Sequence, residues 1–318
     1  MGAMSVDLAI VAGGAAVGFV VGMTGMGGGA LMTPMLVFFF NINPLTAVSS
    51  DLVASLFMKP VGALVHLRRG TVHLELVRYL CIGSVPAAFM GVFVLRWLGA
   101  LGDGVDNVVR VSLGLALLAA VGAMLAKGWL SVRRHGASAR EPGRSAPARP
   151  RVLTVRPGLT VAIGAVGGLV VGMTSVGSGS LIIVALLLAY PMLTARELVG
   201  TDLVQAVPLV GSAALAHMLF GDVEFGLTLS LMLGAMPGAF LGARLSSTAP
   251  QMLIRRAIAI VLLASGLKLL GVPTPVTALV LVGSIVLGPV IWMMIRRWNG
   301  LPMLWRTERR QATDAALV

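Results

Sequence analysis

The sequence predicts an all-α polytopic membrane protein made of two inverted repeats, and three observations lead to this fold class. The chain is 57% hydrophobic and 11% charged, whereas a soluble domain carries about 25% charged residues. Its apolar runs reach the length that crosses a bilayer, and short pieces rich in charged or turn-forming residues separate them. The second half also repeats the residue pattern of the first, which indicates an internal duplication.

The first repeat is predicted to cover residues 1–130. It opens with a hairpin of two short, re-entrant helices joined by a glycine-rich loop, and three spanning helices follow. The second arm of the hairpin has room for about 11 residues, which at 1.5 Å per residue cover roughly half of the 30 Å hydrocarbon layer. The tip is therefore expected near the midplane. The predicted helices are 8–21, 30–40, 47–67, 76–98 and 108–130.

The second repeat, residues 158–273, has the same predicted elements and follows a basic linker over 131–157. Its helices are predicted over 158–171, 181–190, 197–219, 225–243 and 254–270. One extra helix over 274–295 has no counterpart in the first repeat. This helix and a cytoplasmic tail make up residues 274–318.

Paired polar and helix-bending residues support the duplication. In one register, the two halves match in three such pairs: Asp51 with Asp202, His66 with His217, and Pro86 with Pro237. Shared apolar composition explains chance matches among Leu, Val and Ala. It does not explain Asp, His and Pro matching together, so the halves are predicted to share one structure.

The placement of Lys and Arg predicts that the two repeats have opposite orientations. Arg68 and Arg69 follow the third apolar run of the first repeat, whereas Asp222 and Glu224 lie in the equivalent loop of the second. Cytoplasmic loops are enriched in Lys and Arg, so the first loop is predicted to be cytoplasmic and the second external. The same rule puts the linker and the C-terminus in the cytoplasm and the N-terminus outside. Because this distribution explains the net charge of +12, nucleic acid is not an expected partner.

Each hairpin tip is a glycine-rich break in an apolar run. In lipid, such a break is tolerated only where protein or water satisfies the backbone groups, and matched breaks in two repeats indicate a transporter's substrate site. Unpaired amides and the positive dipole end of each short helix favour a small anion, and close helix packing by the glycines is the alternative. The two tips are predicted to meet. The predicted substrate-binding residues at the tips are Gly27, Gly28, Gly29, Ser175, Ser178, Gly179 and Ser180.

Four polar residues within the apolar runs extend the predicted site. Lys59 is unrepeated and lies mid-helix, where a cation is costly unless it faces a cavity or a counter-charge. We expect it to contact the anion, and an ion pair with an acidic side chain is the alternative. Asp51 and Asp202 are predicted to couple transport to a proton or cation, with helix capping as the alternative. Gln205, one turn after Asp202, is predicted to offer a neutral donor.

Two other functions are compatible with the sequence. An intramembrane hydrolase would use Ser178 or Ser180 as the nucleophile and His217 as the base. Inverted repeats, however, would put His217 and His66 at opposite membrane faces, where hydrogen bonding is their expected role. An anion channel is the other alternative. The chain has no ATP-binding phosphate loop, its single cysteine, Cys81, excludes a disulfide framework or a cysteine metal site, and no cofactor is predicted.

The motifs resemble those of the TauE/SafE sulfite exporter family. The resemblance rests on the first glycine loop, Asn41-Ile42-Asn43-Pro44, Ser49-Ser50-Asp51, His66-Leu67-Arg68-Arg69-Gly70 and the second copy of this pattern. It spans the chain outside the linker and tail, and it implies a bacterial inner-membrane carrier for sulfite or a C2–C3 organosulfonate such as sulfoacetate. The second loop has serines where the first has consecutive glycines, so the two half-sites are expected to differ. The expected partners are a small anionic substrate and the lipid bilayer, and a homodimer is left open.

Overall fold

The computed structural model describes residues 6–24, 28–101, 104–140, 154–245 and 251–298, and this part of the chain folds into eleven α-helices. In chain order they are α1 (Leu8–Thr24), α2 (Gly29–Phe39), α3 (Pro44–Arg68), α4 (Leu74–Ala100), α5 (Val105–Arg140), α6 (Pro157–Thr174), α7 (Leu181–Ala189), α8 (Ala195–Phe220), α9 (Phe225–Leu245), α10 (Gln251–Leu269) and α11 (Thr274–Trp298). Each predicted apolar run is a helix. Most ends agree to within a few residues, and the all-α prediction is confirmed.

The two arms of each hairpin differ in length. The first arms, α1 and α6, have 17 and 18 residues, whereas the second arms, α2 and α7, have 11 and 9. The first arms are longer than predicted because Met-Thr continues each helix, and α6 ends only where Ser175 adopts a left-handed conformation with φ of 58°. Each hairpin therefore joins a nearly full-length helix to a half-length helix.

Helix α5 extends into the segment that was predicted to be linker. It continues to Arg140, through a stretch that includes Ala and Arg and contains no proline. Such residues support a helix, and the first residue able to stop it is Pro142. The rest of the predicted linker up to residue 153 lies outside the described residues.

Within the described residues, seven helices are long and apolar enough to cross a membrane: α3, α4, α5, α6, α8, α9 and α11. Helices α1 and α2 are apolar but shorter. Two helices differ from the prediction: α6, predicted to be short and re-entrant, is long enough to span, whereas α10, predicted to span, has 19 residues with Arg255, Arg256 and Lys268 and does not belong to this set. The chain is a multi-pass membrane protein, and the extra C-terminal helix α11 was correctly predicted.

Glycine contacts join the first helix of each half to the fourth helix of the other half. A Cβ on Gly18 of α1 would lie 2.4 Å from the carbonyl oxygen of Ala235 in α9. A Cβ on Gly168 of α6 would lie 2.4 Å from the carbonyl oxygen of Ser84 in α4. The alignment of the two halves matches Gly18 with Gly168 and Ser84 with Ala235. The α1–α9 contact and the α6–α4 contact are therefore equivalent.

Helices α3 and α8 pack against each other in opposite directions. Near the start of α3, Ser49 contacts His217 near the end of α8, and further along α3, Gly62 lies against Leu203 near the start of α8. These helices occupy matching positions in the two repeats. Their antiparallel packing is the arrangement expected of inverted repeats, and their direction across a membrane stays a prediction.

Candidate functional site

The two hairpins meet at their glycine loops. A Cβ on Gly29, at the start of α2, would lie 2.1 Å from the carbonyl oxygen of Ser175 and 2.7 Å from its hydroxyl oxygen. Gly29 thus permits close backbone packing between the halves. Gly28 differs, because a Cβ there would have no neighbour within 4 Å, and Gly27 lies outside the described residues.

The second loop is held by residues in left-handed or otherwise unusual conformations. Ser175 has φ of 58°, Gly177 has φ of 131° and Gly179 has φ of 92°. The carbonyl oxygen of Gly177 accepts the backbone amide of Leu181 at 3.0 Å, as well as that of Ser180 at 3.3 Å. The glycines are therefore needed for the turn itself, since the two φ values are rarely adopted by residues with side chains.

The N-terminus of α7 is already occupied by groups of the protein, in contrast to the expectation of unpaired amides. The carbonyl oxygen of Gly177 accepts the first backbone amides of α7, and the backbone amide of Gly179 lies near the carboxylate of Asp202 and favours its charged form. A carboxylate thus stands where the helix dipole favours negative charge. In this conformation the carboxylate of Asp202 lies at the N-terminus of α7, where the substrate anion was expected.

Asp51 lies at the junction of the two halves and is 1% exposed. Its Oδ2 accepts a hydrogen bond from the hydroxyl of Ser175 at 2.7 Å and another from Thr33 at 3.1 Å. Among the described residues, its other oxygen, Oδ1, has no partner within hydrogen-bonding distance, and the hydroxyl of Ser55, one turn further along α3, also lies near this carboxylate. An interior carboxylate oxygen of this kind is an available acceptor for a proton or an ion.

Asp202 is also 1% exposed but has a different set of donors. Gln205 donates to its Oδ1 at 3.2 Å, and the carbonyl of Gln205 in turn accepts the hydroxyl of Ser84 at 3.1 Å. The predicted neutral donor therefore serves Asp202 directly. The neighbours of Asp202 are therefore the amide groups of Gln205 and Gly179, whereas the neighbours of Asp51 are hydroxyl groups.

Neither aspartate caps its own helix, so the capping alternative is wrong for both. Asn43 caps α3 by accepting the amide of Leu45, and Thr194 caps α8 in a reciprocal capping box with Glu197. Asp51 and Asp202 lie about two turns further along.

Lys59 reaches from the first repeat to the second loop. Its ammonium donates to the hydroxyl of Ser178 at 2.6 Å, and it lies within electrostatic range of both Asp51 and Asp202. In the described part of the chain, no carboxylate lies within 4 Å of this amine. The expected alternative, a direct ion pair, is therefore not formed.

A small cleft adjoins this contact. Its polar lining comes from Ser178, Gly179 and Ser180 of the second loop, and its apolar lining comes from three helices, α2, α5 and α10, which contribute Ala30, Ala120, Met124 and Leu262. Both hairpins thus contribute to the cleft. With Lys59 on Ser178, it combines hydrogen-bond donors, a cation and apolar walls.

The histidines are apart, as predicted. His217 is buried, with Nδ1 2.8 Å from the hydroxyl of Ser49 and Nε2 2.7 Å from the carbonyl oxygen of Gly172. Because a carbonyl only accepts, Nε2 carries a proton and donates. His66 contacts Thr71 in its own loop. Neither ring nitrogen of His217 contacts Ser178 or Ser180, so the serine–histidine pair of the alternative hydrolase function is not formed.

Three polar residues of this region were missed from the sequence. Thr33 and Ser84 are buried, and each holds a residue of the site. Lys127 lies within electrostatic range of Asp202. Lys127 could have been found by the signal that identified Lys59, a cation inside an apolar helix, but Thr33 and Ser84 have no such signal.

Comparison with known proteins agrees with this architecture. The family profile described as sulfite exporter TauE/SafE matches residues 10–269. The chain is 34% identical over 269 residues to the probable membrane transporter protein YjnA of Bacillus subtilis (strain 168), covering 84% of this chain and 100% of that protein. It is 24% identical over 255 residues to the probable membrane transporter protein YdhB of the same organism, covering 80% and 96%. No solved structure matches the chain. The profile match over most of the chain and the relative at 34% identity show that the chain belongs to the sulfite exporter TauE/SafE family.

Proposed function

We propose that this protein is a secondary transporter that exports small sulfur oxyanions across the bacterial inner membrane by alternating access. The transported anion would be sulfite or a C2–C3 organosulfonate such as sulfoacetate. The contact between Lys59 and Ser178 carries the proposal, because it puts a cation and a hydroxyl from opposite repeats beside one interior cleft.

The chemistry of the cleft suits such an anion. An ammonium and serine hydroxyls donate charge-assisted hydrogen bonds to sulfonate or sulfite oxygens. The cleft has a volume of about 10 Å³, room for about one water, so it must widen before apolar walls such as Met124 and Leu262 can contact the short carbon chain of an organosulfonate. When no anion is bound, the carboxylates of Asp51 and Asp202 balance the charge of Lys59.

The depth of the cleft supports a transport site. Ala120 lines it, and the spanning part of α5 ends at Leu130. Ten residues of helix rise about 15 Å, which is half of the roughly 30 Å hydrocarbon layer. A site near the midplane, between two repeats, is typical of secondary transporters.

The packing of the two halves supports inverted repeats. Antiparallel contact between α3 and α8 and the twice-made glycine contact are what a two-fold axis in the membrane plane would produce. In the orientation we propose, the linker and the C-terminus are cytoplasmic and the N-terminus is external. Exchange between two equivalent arrangements of the halves would open the cleft to each side in turn.

We assign ion coupling to Asp51 before Asp202. Two hydroxyls hold Asp51, and hydroxyls can rotate to donate or accept. Asp202 is held by N–H donors of amides, and an N–H cannot accept a hydrogen bond from a protonated carboxyl group. Asp51 can therefore change its protonation state with a smaller rearrangement of its neighbours.

Flux in proteoliposomes tests the proposal. Purified protein is reconstituted, and uptake of sulfite, sulfoacetate, taurine and sulfate is measured with and without an imposed pH gradient. Saturable movement of sulfite or sulfoacetate, with counterflow, is the expected result. Taurine, which carries an amine as well as a sulfonate, tests whether net negative charge is required. If the folded protein moves none of these anions, or if flux does not saturate, the carrier proposal is contradicted.

A further inference from the structure

Helices α5 and α10 pack antiparallel and form one wall of the cleft. Toward one end of the pair, Gly114 of α5 lies against Gly266 of α10 and against Leu270, the residue that follows α10. Toward the other end, Lys127 of α5 and Arg255 of α10 lie within electrostatic range of each other. This second end is the one next to the linker.

The two cations lie on the helix faces that line the cleft. On α5, Lys127 follows Met124 by three residues and Ala120 by seven, spacings that share one face. On α10, Arg255 precedes the cleft residue Leu262 by seven residues, about two turns. Both faces lead from the cleft toward the linker-side end of the pair.

Lys127 is also tied to the cleft electrostatically. It lies within range of Asp202, whose carboxylate accepts the amide of the cleft residue Gly179. Lys127 is only half-buried, and it lies one turn inside the end of the apolar span at Leu130. A lysine that only extended toward the membrane surface would not need to face an interior carboxylate.

Lys127 and Arg255 repel each other, and Lys127 is costly to keep inside the apolar span. A visiting anion would remove both costs. Arg255 is exposed and Lys127 is half-buried. The two cations therefore lie in order along a path from the protein surface toward Lys59 and Ser178.

We propose that Lys127 and Arg255 form an entrance site that captures the substrate anion on the linker side and delivers it to the cleft. This inference rests on the proposed function, and the ligand it requires is a small sulfonate or sulfite. Electrostatic capture of this kind raises the association rate and weakens with salt.

Neutral variants test the entrance site. In the proteoliposome assay, Lys127→Gln and Arg255→Gln are expected to lower Vmax/KM by about tenfold at low ionic strength, with a smaller loss at high salt. Lys127→Arg is expected to stay close to wild type. Lys268→Gln is the matched control, because it removes one cation from the opposite end of α10, where Lys268 contacts Thr274.

Chemical restoration of the charge separates capture from a structural role. A Lys127→Cys variant in a Cys81→Ala background would be modified with aminoethyl or sulfonatoethyl methanethiosulfonate. We expect the positive adduct to restore Vmax/KM and the negative adduct to lower it further. Equal effects of both adducts on Vmax/KM would overturn the entrance site. The same holds if Lys127→Gln has the Vmax/KM of the control Lys268→Gln. In either case, transport by the wild-type protein would still support the proposed function.

Two further outcomes are decisive. If wild-type protein transports none of the tested anions, the proposed function and the entrance site both fail. If Lys127→Gln does not reach the membrane, Arg255→Gln decides instead, since the exposed Arg255 side chain can be neutralised without opening the interior. Unchanged Vmax/KM in that variant would overturn the entrance site.

Discussion

Asp51 and Asp202 occupy matching positions in the two repeats, yet the protein surrounds them differently. Asp51 is held by the hydroxyls of Ser175 and Thr33 and keeps one oxygen without a partner among the described residues. Asp202 is held by the side-chain amide of Gln205 and the backbone amide of Gly179. Both predicted repeats carry the carboxylate but surround it with different donors, and we propose that the two aspartates have different roles.

The comparison also identifies what the halves share. Lys59 has no counterpart in the second repeat, where the same register places Val210, and it is within electrostatic range of both aspartates. One cation thus serves two repeat-related carboxylates. An anion that binds Lys59 would compete with both of them.

The largest expected effect comes from removing that cation. Lys59→Gln should lower saturable anion flux by about 100-fold, because the variant loses a charged hydrogen bond to the anion, worth about 1.5–3 kcal/mol. Lys59→Arg should keep part of the flux. Initial rates in proteoliposomes measure this, with Lys268→Gln as the control for loss of a surface cation. Flux within threefold of wild type in Lys59→Gln would remove Lys59 from the substrate path.

The next effect sharpens the difference between the aspartates. Asp51→Asn should abolish the response of flux to a pH gradient while leaving measurable flux without a gradient. Asp202→Asn should lower flux by about tenfold, through loss of charged hydrogen bonds, and keep the gradient response. Flux at several imposed gradients distinguishes the two variants. Identical behaviour would show that the different donors have no functional consequence.

A smaller effect tests the junction between the glycine loops. Gly29→Ala would put a Cβ 2.1 Å from the carbonyl oxygen of Ser175, so the backbones must separate, at a cost of about 1–3 kcal/mol. Gly28→Ala meets open space and should be close to wild type. Thermal unfolding in detergent compares the matched pair. A stable Gly29→Ala variant would mean that the loops are not in contact.

The smallest effect concerns the serines of the cleft. Ser178→Ala removes one hydrogen bond to Lys59, worth about 0.5–1.5 kcal/mol, so flux should fall by no more than about tenfold. Ser180→Ala should have less effect, because Ser180 lines the cleft without contacting Lys59. Paired flux assays check both. Complete loss of function in Ser178→Ala, but not in Ser180→Ala, would favour the alternative hydrolase. Ser178 would then be the nucleophile, and Lys59 would act as its base, the role that the sequence suggested for His217.

The sequence predicts the helices well because apolar runs in lipid have few alternatives to helix. The glycine breaks at 22–29 and 172–179 marked both hairpins, and the match of Asp51 with Asp202 marked the register of the repeat. The helix α5 was predicted too short, since Ser131 to Arg140 is polar and was assigned by composition and not by its helix-forming residues.

The site could be predicted only in part. Residue types pointed to Lys59, Asp51, Asp202 and the second loop, all of which have contacts in one region. Periodicity could not indicate that Asp202 would occupy the N-terminus of α7, because that contact joins residues of two different helices. For the same reason, the donors Thr33 and Ser84 emerge only when distant parts of the chain are brought together.

Counterflow of labelled sulfite or sulfoacetate, measured in wild-type and Lys59→Gln proteoliposomes, tests whether Lys59 binds the transported anion. Wild-type proteoliposomes that hold excess unlabelled anion are expected to accumulate the label, and Lys59→Gln proteoliposomes are not. Counterflow requires a binding site that is exposed to one side at a time, so it also excludes a channel. Equal counterflow in both proteins, or none in a folded wild-type protein, would contradict an anion carrier built around Lys59.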